Sequence, residues 1–250
     1  MERRAAIVDA ALPLFARKGF AGTTTKELAM AAGVSEALLY KHFPSKRAIY
    51  DEILSLGSRR AGTDFNRLAR ARPSTLALIE NIHFLMFWCF MGRPIGRERG
   101  YKGYFENMVR LVLNSLMEDG EFARSVFKNV LSNPLVGFEA SFKAAKSAGD
   151  LVPRPLTSRN AFWFIQQVAF ILAATRLPQK PVQAYTVKDA EVVRLAVVFA
   201  LRGVGLKDDV VRTQYDPKGL NRRLSGRFAD RFSGPKSLYS EQNNNIDANT

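Results

Sequence analysis

Apolar positions along this chain recur at intervals of three and four, and few segments alternate with period two, so the pattern predicts helices throughout and an all-α fold. Ile7, Ala10, Ala11, Leu14 and Phe15 mark one stripe of a first helix that is expected to end near Gly19. Pro13 interrupts its hydrogen-bond ladder, and no neighbouring residue compensates. Thr24 and Glu27 then make a T-x-x-E capping box that opens a short helix at Thr25, with Leu28, Ala29 and Ala32 on its apolar side. Gly33 falls where the chain must reverse, a place for left-handed backbone. Val34 plugs the corner, Ser35 caps a third helix with Leu39 and Phe43 facing inward, Pro44 stops that helix, and Ser45 caps the next. Two short helices about a tight turn make a helix-turn-helix, whose second helix is the one that enters a DNA major groove.

A longer helix from Lys46, with Ile49, Ile53 and Leu56 on one side, is expected to run toward Arg60 and into a basic cluster, Arg59, Arg60, Arg67, Arg70 and Arg72, that ends at Pro73. After Ser74 the character changes. Leu76 to Met91 reads as a strongly apolar helix and Gly92 to Gly103 as a basic, glycine-rich break. Tyr104 to Met117, Phe122 to Leu131 and Leu135 to Ala148 read as three further helices. Pro153 and Pro155 separate these from a final pair, Ser158 to Arg176 capped by Thr157 and Val187 to Val204 capped by Thr186. Both are apolar on several faces and require cover from beyond their own domain. From Leu206 the apolar content falls, and Arg222, Arg223, Arg227 and Arg231 make the end basic. The expected organisation is a DNA-binding unit at 1–54, a helical domain at 55–206, and a basic, polar, poorly ordered tail at 207–250.

The net charge of +14 suits a polyanionic partner, but ribosomal, heparin-binding and membrane-surface proteins share that sign. A single cysteine, Cys89, excludes an internal disulfide, and its apolar setting predicts an inert core thiol. No leader is expected ahead of the first helix, and the longest apolar runs, Ile82 to Met91 and Ala161 to Ala174, are too short to span a bilayer. A soluble, cytoplasmic protein is the expectation. Glu80 and His83 fit E-x-x-H, but a di-metal helical bundle needs two such motifs, and the only other histidine lies in the helix-turn-helix. No phosphate-binding loop or nucleophile elbow is present, so neither catalysis nor a metal or cofactor is expected.

The succession IVDAALPLFARKGF, TTTKELAMAAGVSEALLYKHFPSK and a connecting helix resembles the amino-terminal domain of the TetR (tetracycline-repressor-like) family of bacterial transcription regulators. The likeness covers residues 3 to 54, and LYKHFPSK is its most specific part. The chain departs from the family pattern at Pro13, in a very short amino-terminal arm, and at Glu36 and Leu38, where family members differ among themselves.

The resemblance implies roles for particular residues. Lys26, Glu36, Ala37, Leu38 and Lys41 fall where family members touch base edges: lysine donates to guanine, glutamate accepts from cytosine, and small apolar groups meet the thymine methyl. Thr25, Tyr40, His42 and Lys46 fall where the family grips the sugar-phosphate backbone, and Ser45 with Lys46 sits at a helix start that suits a phosphate. A structural alternative stays open for Glu36, favoured by the helix dipole, and for Tyr40, which can pack on the first helix. In the family the last two long helices form a four-helix bundle with a second subunit, which points to Phe162, Ile165, Ala169 and Leu172 on one helix, and to Val193, Val197, Ala200 and Val204 on the other.

The family's larger domain also encloses an effector pocket. The aromatic bulk available for one here is Phe84, Phe87, Trp88, Tyr104, Phe105 and Phe127, with Phe138, Phe142 and Trp163, and with Met91 and Met108. Asn81, His83, Arg110 and Gln167 are the candidate polar anchors for a largely apolar small molecule. The implied protein is a homodimeric repressor of a near-palindromic operator in double-stranded DNA, released by that effector, with no membrane partner. A ligand-carrying or protein-interaction dimer of the same fold is the alternative.

Overall fold

The computed structural model describes residues 2–56, 70–91, 100–180 and 182–229, and all regular structure among them is helical. The first unit comprises α1 (Glu2–Lys18), α2 (Thr25–Ala31), α3 (Glu36–His42) and α4, described over 46–56. Helix α1 buries Ile7, Val8, Ala11, Leu12, Phe15 and Ala16, and runs unbroken through Pro13. Its buried stripe continues on both sides of the proline, so packing holds a helix that local backbone bonding alone would weaken. Gly19 ends it at φ 71°, and a Cβ there would lie 2.9 Å from the Glu118 carboxylate, so glycine serves both the turn and the close approach.

The larger unit is built from α5 (Thr75–Met91), α6 (Gly100–Met117), α7 (Glu121–Ser147), α8 (Ser158–Ala174) and α9 (Asp189–Gly203). Its core is centred on α5, which packs on α7, α8 and α9. The two helices expected at 122–131 and 135–148 are one, α7, which passes straight through the buried Pro134. Val130 and Leu131 before the proline and Phe138, Ser141 and Ala145 after it all face the same core, which holds the two halves in line. Thr157 caps α8 as expected, accepting from Asn160 N–H at 3.2 Å. Thr186 does not cap α9: that helix opens at Asp189 behind Lys188, without a side-chain cap, and the Asp189 carboxylate instead takes Arg176 at 2.6 Å. Arg59, Arg60 and Arg67, and the part of the glycine-rich break at 92–99, lie outside the described residues.

The tail expected to be poorly ordered from 207 contains two helices, α10 (Asp208–Gln214) and α11 (Pro217–Ala229), while 230–250 lies outside the described residues. Leu220 and Leu224, both 0% exposed, seat α11 against α5. A segment with few apolar residues is ordered here because those few share one face. Tyr215 and Asn221 also reach His83 of α5, at 3.3 and 2.8 Å from its two ring nitrogens, and Arg223 lies 3.6 Å from the buried Glu80 carboxylate.

No sharp boundary separates the two large units. The core of the first is completed by Tyr104, Leu111 and Val112 of α6 and by Phe122 and Ala123 of α7. Tyr50 of α4 meets Phe122 with ring centroids 4.8 Å apart, Asn114 donates to the Ala16 carbonyl at 3.1 Å, and Arg47 pairs with Glu121 at 3.1 Å.

Candidate nucleic-acid interface

The turn between α2 and α3 is fixed by bonds that begin and end within a few residues. The Thr24 hydroxyl accepts from Glu27 N–H at 3.3 Å, and Thr24 N–H donates to the Glu27 carboxylate at 3.0 Å, a complete capping box. Lys18 also pairs with Glu27; that pairing first, then the bonds from Thr24, hold the carboxyl down to about 2. Gly33 takes φ 63°, which brings Val34 N–H to the Ala29 carbonyl at 2.9 Å. Ser35 caps α3 by accepting from Leu38 N–H at 3.2 Å, and Ser45 accepts from Ala48 N–H at 3.1 Å at the start of α4. Leu28, Leu39 and Phe43, all 0% exposed, bind the pair of helices to α1 and α4.

With those residues turned inward, the others are turned out. Lys26, Glu36, Ala37, Tyr40, Lys41 and Ser45 are exposed, and Thr25, Leu38 and His42 are half-buried. At 48% exposure Tyr40 is available at the surface. The Thr25 hydroxyl donates to the Glu36 carboxylate at 3.1 Å, so the two helices are linked on their outer side. Lys46 is placed differently from its neighbours: its ammonium donates to the Phe20 and Thr23 carbonyls at 2.7 and 2.8 Å and lies 4.4 Å from the centre of the Phe20 ring. The resemblance implies a sugar-phosphate contact for Lys46, and here its ammonium ties α4 to the turn before α2. Arg4, which no motif singled out, reaches from α1 to the last carbonyl of α3. Only an arginine one turn into the first helix hints at it.

The proposed pocket residues gather only in part. Phe84 and Phe138 line a small apolar cavity of about 10 Å³ between α5, α7 and α8, together with Asn81, Ile82, Leu85, Pro134, Phe162 and Ile165; that is room for about one water. Phe142 and Trp163 adjoin it through ring contacts, Phe138–Phe142 at 6.2 Å and Phe162–Trp163 at 5.3 Å. Trp88 meets Phe105 edge-on at 4.7 Å, while Phe127 meets Trp163 at 6.4 Å. Tyr104 and Met108 belong instead to the core shared with the helix-turn-helix unit. Of the anchors, His83 is turned away toward α10 and α11, Gln167 is exposed, and Arg110 donates to the Leu177 carbonyl at 2.7 Å. Phe87 stacks on His83, and the Met91 side chain lies outside the described residues. Burial pushes the Cys89 thiol up to about 12, as an unreactive core position requires.

Residues 7–53 match the family described as bacterial regulatory proteins, tetR family. That match covers the amino-terminal unit, from α1 into α4. The HTH-type transcriptional repressor KstR2 of Rhodococcus jostii (strain RHA1) is 46% identical over 52 residues, 21% of this chain and 26% of that protein. The nucleoid occlusion factor SlmA of Aliivibrio fischeri (strain MJ11) is 34% identical over 122 residues, 47% of this chain and 60% of that one. The chain therefore spans between a quarter and three fifths of the length of these curated relatives. In fold, the chain is similar to AibR, solved in complex with isovaleryl coenzyme A and operator DNA, with a TM-score of 0.59, 17% identity, and 79% of this chain and 97% of that one covered. No described helix is long and apolar enough to cross a membrane.

Most of the residues expected to join a second subunit are turned inward in this chain. Phe162, Ile165, Ala169, Val193, Val197, Ala200 and Val204 are buried within this chain's own core, and Leu172 is half-buried. The outward stripe is the opposite one, Phe164 and Ile171 on α8 at 57% and 54% exposure and Leu195 and Phe199 on α9 at 46% and 70%. Both stripes are apolar, so periodicity alone did not distinguish inside from outside.

Proposed function

We propose that this chain is a homodimeric, sequence-specific DNA-binding transcriptional regulator, a repressor that leaves its operator when a largely apolar small molecule binds the larger domain. The observation that carries the reading is the outer face of α2 and α3: Lys26, Glu36, Ala37, Tyr40 and Lys41 stand exposed together over a rigid, fully buried Leu28–Leu39–Phe43 base. Lys26 and Lys41 suit guanine edges, Glu36 a cytosine amino group, and Ala37 and Leu38 a thymine methyl. Thr25, Tyr40, His42 and Ser45 suit the sugar-phosphate backbone. Lys46 serves this face chiefly by bracing it, and a phosphate would have to compete with the two carbonyls its ammonium holds.

Exposed Phe164 and Ile171 on α8 and Leu195 and Phe199 on α9 support the dimer, since large apolar side chains turned to solvent on two long helices suit an interface. A two-fold dimer would read a near-palindrome with half-sites one helical turn or a multiple apart. The cavity lined by Phe84, Phe138 and Phe162 supports an apolar effector, with Asn81 as the polar group at its edge. Because that cavity has room for only about one water, an effector must bind an expanded arrangement, and it lowers operator affinity only if that arrangement holds DNA less well.

Fluorescence anisotropy with duplexes selected from random DNA tests the reading. The wild-type chain should prefer one near-palindrome over random duplex, and its affinity should fall steeply with salt. Tyr40→Phe should weaken selected and random DNA alike, whereas Lys41→Ala should relax the preference at one position per half-site. A wild-type chain that binds all duplexes equally would overturn the regulator reading. A chain that stays monomeric in sedimentation at operator-binding concentrations would remove the dimer from it.

A further inference from the structure

Arg4 lies on the first turn of α1, outside every residue so far assigned to DNA. Its Nη1 donates to the carbonyl of His42, the last residue of α3, at 2.8 Å. Its Nη2 donates to the Glu52 carboxylate of α4 at 2.9 Å, and its guanidinium lies 4.1 Å from the centre of the Phe43 ring just past the end of α3. One planar group thus touches three consecutive features of the unit: the carboxyl end of the recognition helix, the aromatic residue that anchors it, and the helix that leads to the larger domain.

The chemistry explains why arginine suits the position. The last carbonyls of a helix lack partners inside the helix and carry its negative dipole end, so a cation that donates to one of them meets both needs. A guanidinium presents several donors in a fixed plane and also stacks on an aromatic ring, whereas a lysine ammonium offers neither the plane nor the fork. Glu52 holds the far side of that plane, so the position of the α3 terminus is set relative to α1 and α4 together. A seven-residue helix has little stiffness of its own, and its aim at base edges depends on how its two ends are held. Ser35 holds one end of α3, and Arg4 holds the other.

We propose that Arg4 is a positioning residue for base reading: through His42 and Phe43 it sets the angle at which α3 meets DNA, with Glu52 as its own orienting partner. This rests on the DNA-reading proposal above, and it separates Arg4 from the cations that attract phosphate. A phosphate-binding arginine adds affinity for every duplex. A positioning arginine adds affinity only where base contacts are made, because misaiming α3 costs nothing on a duplex it does not read.

The test uses the full chain, the duplex selected by the wild type, and a scrambled duplex of equal length, with anisotropy titrations across a salt series. Arg4→Lys keeps the charge and should weaken the selected duplex by about tenfold, leave the scrambled duplex unchanged, and leave the slope of log affinity against log salt unchanged. Glu52→Gln removes the orienting partner without altering any cation and should move the same ratio in the same direction by a smaller factor. Thermal melts set a working temperature at which the wild type and all three variants are folded, so that lost stability does not enter the ratio. The proposal is overturned if Arg4→Lys leaves both affinities unchanged. It is also overturned if Arg4→Ala weakens both duplexes equally and flattens the salt slope by about one contact, the mark of a phosphate ligand. If the wild type itself does not discriminate between the duplexes, the DNA-reading proposal fails and takes this one with it.

Discussion

Around α2 and α3, side chains close hydrogen bonds at fixed sequence spacing, whereas around α5, α7 and α8 aromatic rings fill space with few directional bonds. Thr24 with Glu27, Ser35 with Leu38 and Ser45 with Ala48 are each three residues apart, and each caps a helix start with a side-chain hydrogen bond. Phe138, Phe142, Phe162 and Trp163 instead meet at centroid distances from 5.3 to 6.2 Å and over a wide range of interplanar angles. Directional bonds suit a surface that must present side chains in one arrangement. Ring packing is less particular about geometry, and it lets a domain reform around something new. On the function proposed above, recognition and response fall to regions held by different physics, joined at the Tyr50–Phe122 contact.

The largest expected effect comes from cutting into the ring packing. Phe138→Ala should lower unfolding free energy by about 3–5 kcal/mol in urea titrations. The enlarged apolar void should stay dry and accept benzene, seen as a rise in melting temperature that the wild type lacks. A variant that collapsed with no benzene response would show the domain to be as particular as the DNA unit. The directional bonds should cost less singly: Thr24→Ala should lose about 1 kcal/mol, read by the same titration, and Ser35→Ala about the same, with weaker operator binding in proportion to the loss of α3.

The smallest effect is a pH slope. Burial holds the His83 imidazole below its ordinary value of 6.5, against the opposing bond to Asn221. In the unfolded chain His83 takes a proton as pH falls through about 6.5, while in the folded chain it resists, so its contribution to stability is complete above that pH and declines below it. Urea midpoints at pH 8 and pH 5.5 should differ for the wild type and differ less for His83→Gln. Equal differences in the two proteins would remove His83 as the cause.

What was legible in the sequence follows the same division. The capping box, the left-handed Gly33 and the inward Leu39 and Phe43 are all set by neighbours within a turn or two, and a reading of local spacing finds them. Periodicity does not tell the inward from the outward faces of α8 and α9, because each helix is apolar on both sides, and only the position of α5 decides between them. Pro134 read as a break because its surroundings in the core cannot be seen from residues 130 to 138. The ammonium of Lys46 and the guanidinium of Arg4 find carbonyls 26 and 38 residues away, a distance over which no periodicity extends.

Helix α5 has two faces with different tenants. Asn81, Ile82, Phe84 and Leu85 border the void, and on the same rod Glu80 and His83 are sheltered by Arg223, Asn221 and Tyr215. A chain shortened to Leu206 would leave a carboxylate and an imidazole bare to solvent one residue away from the oily side. Constructive handling of the carboxyl end, by truncation or fusion, is therefore an intervention in the chamber behind α5 and not a trimming of loose thread.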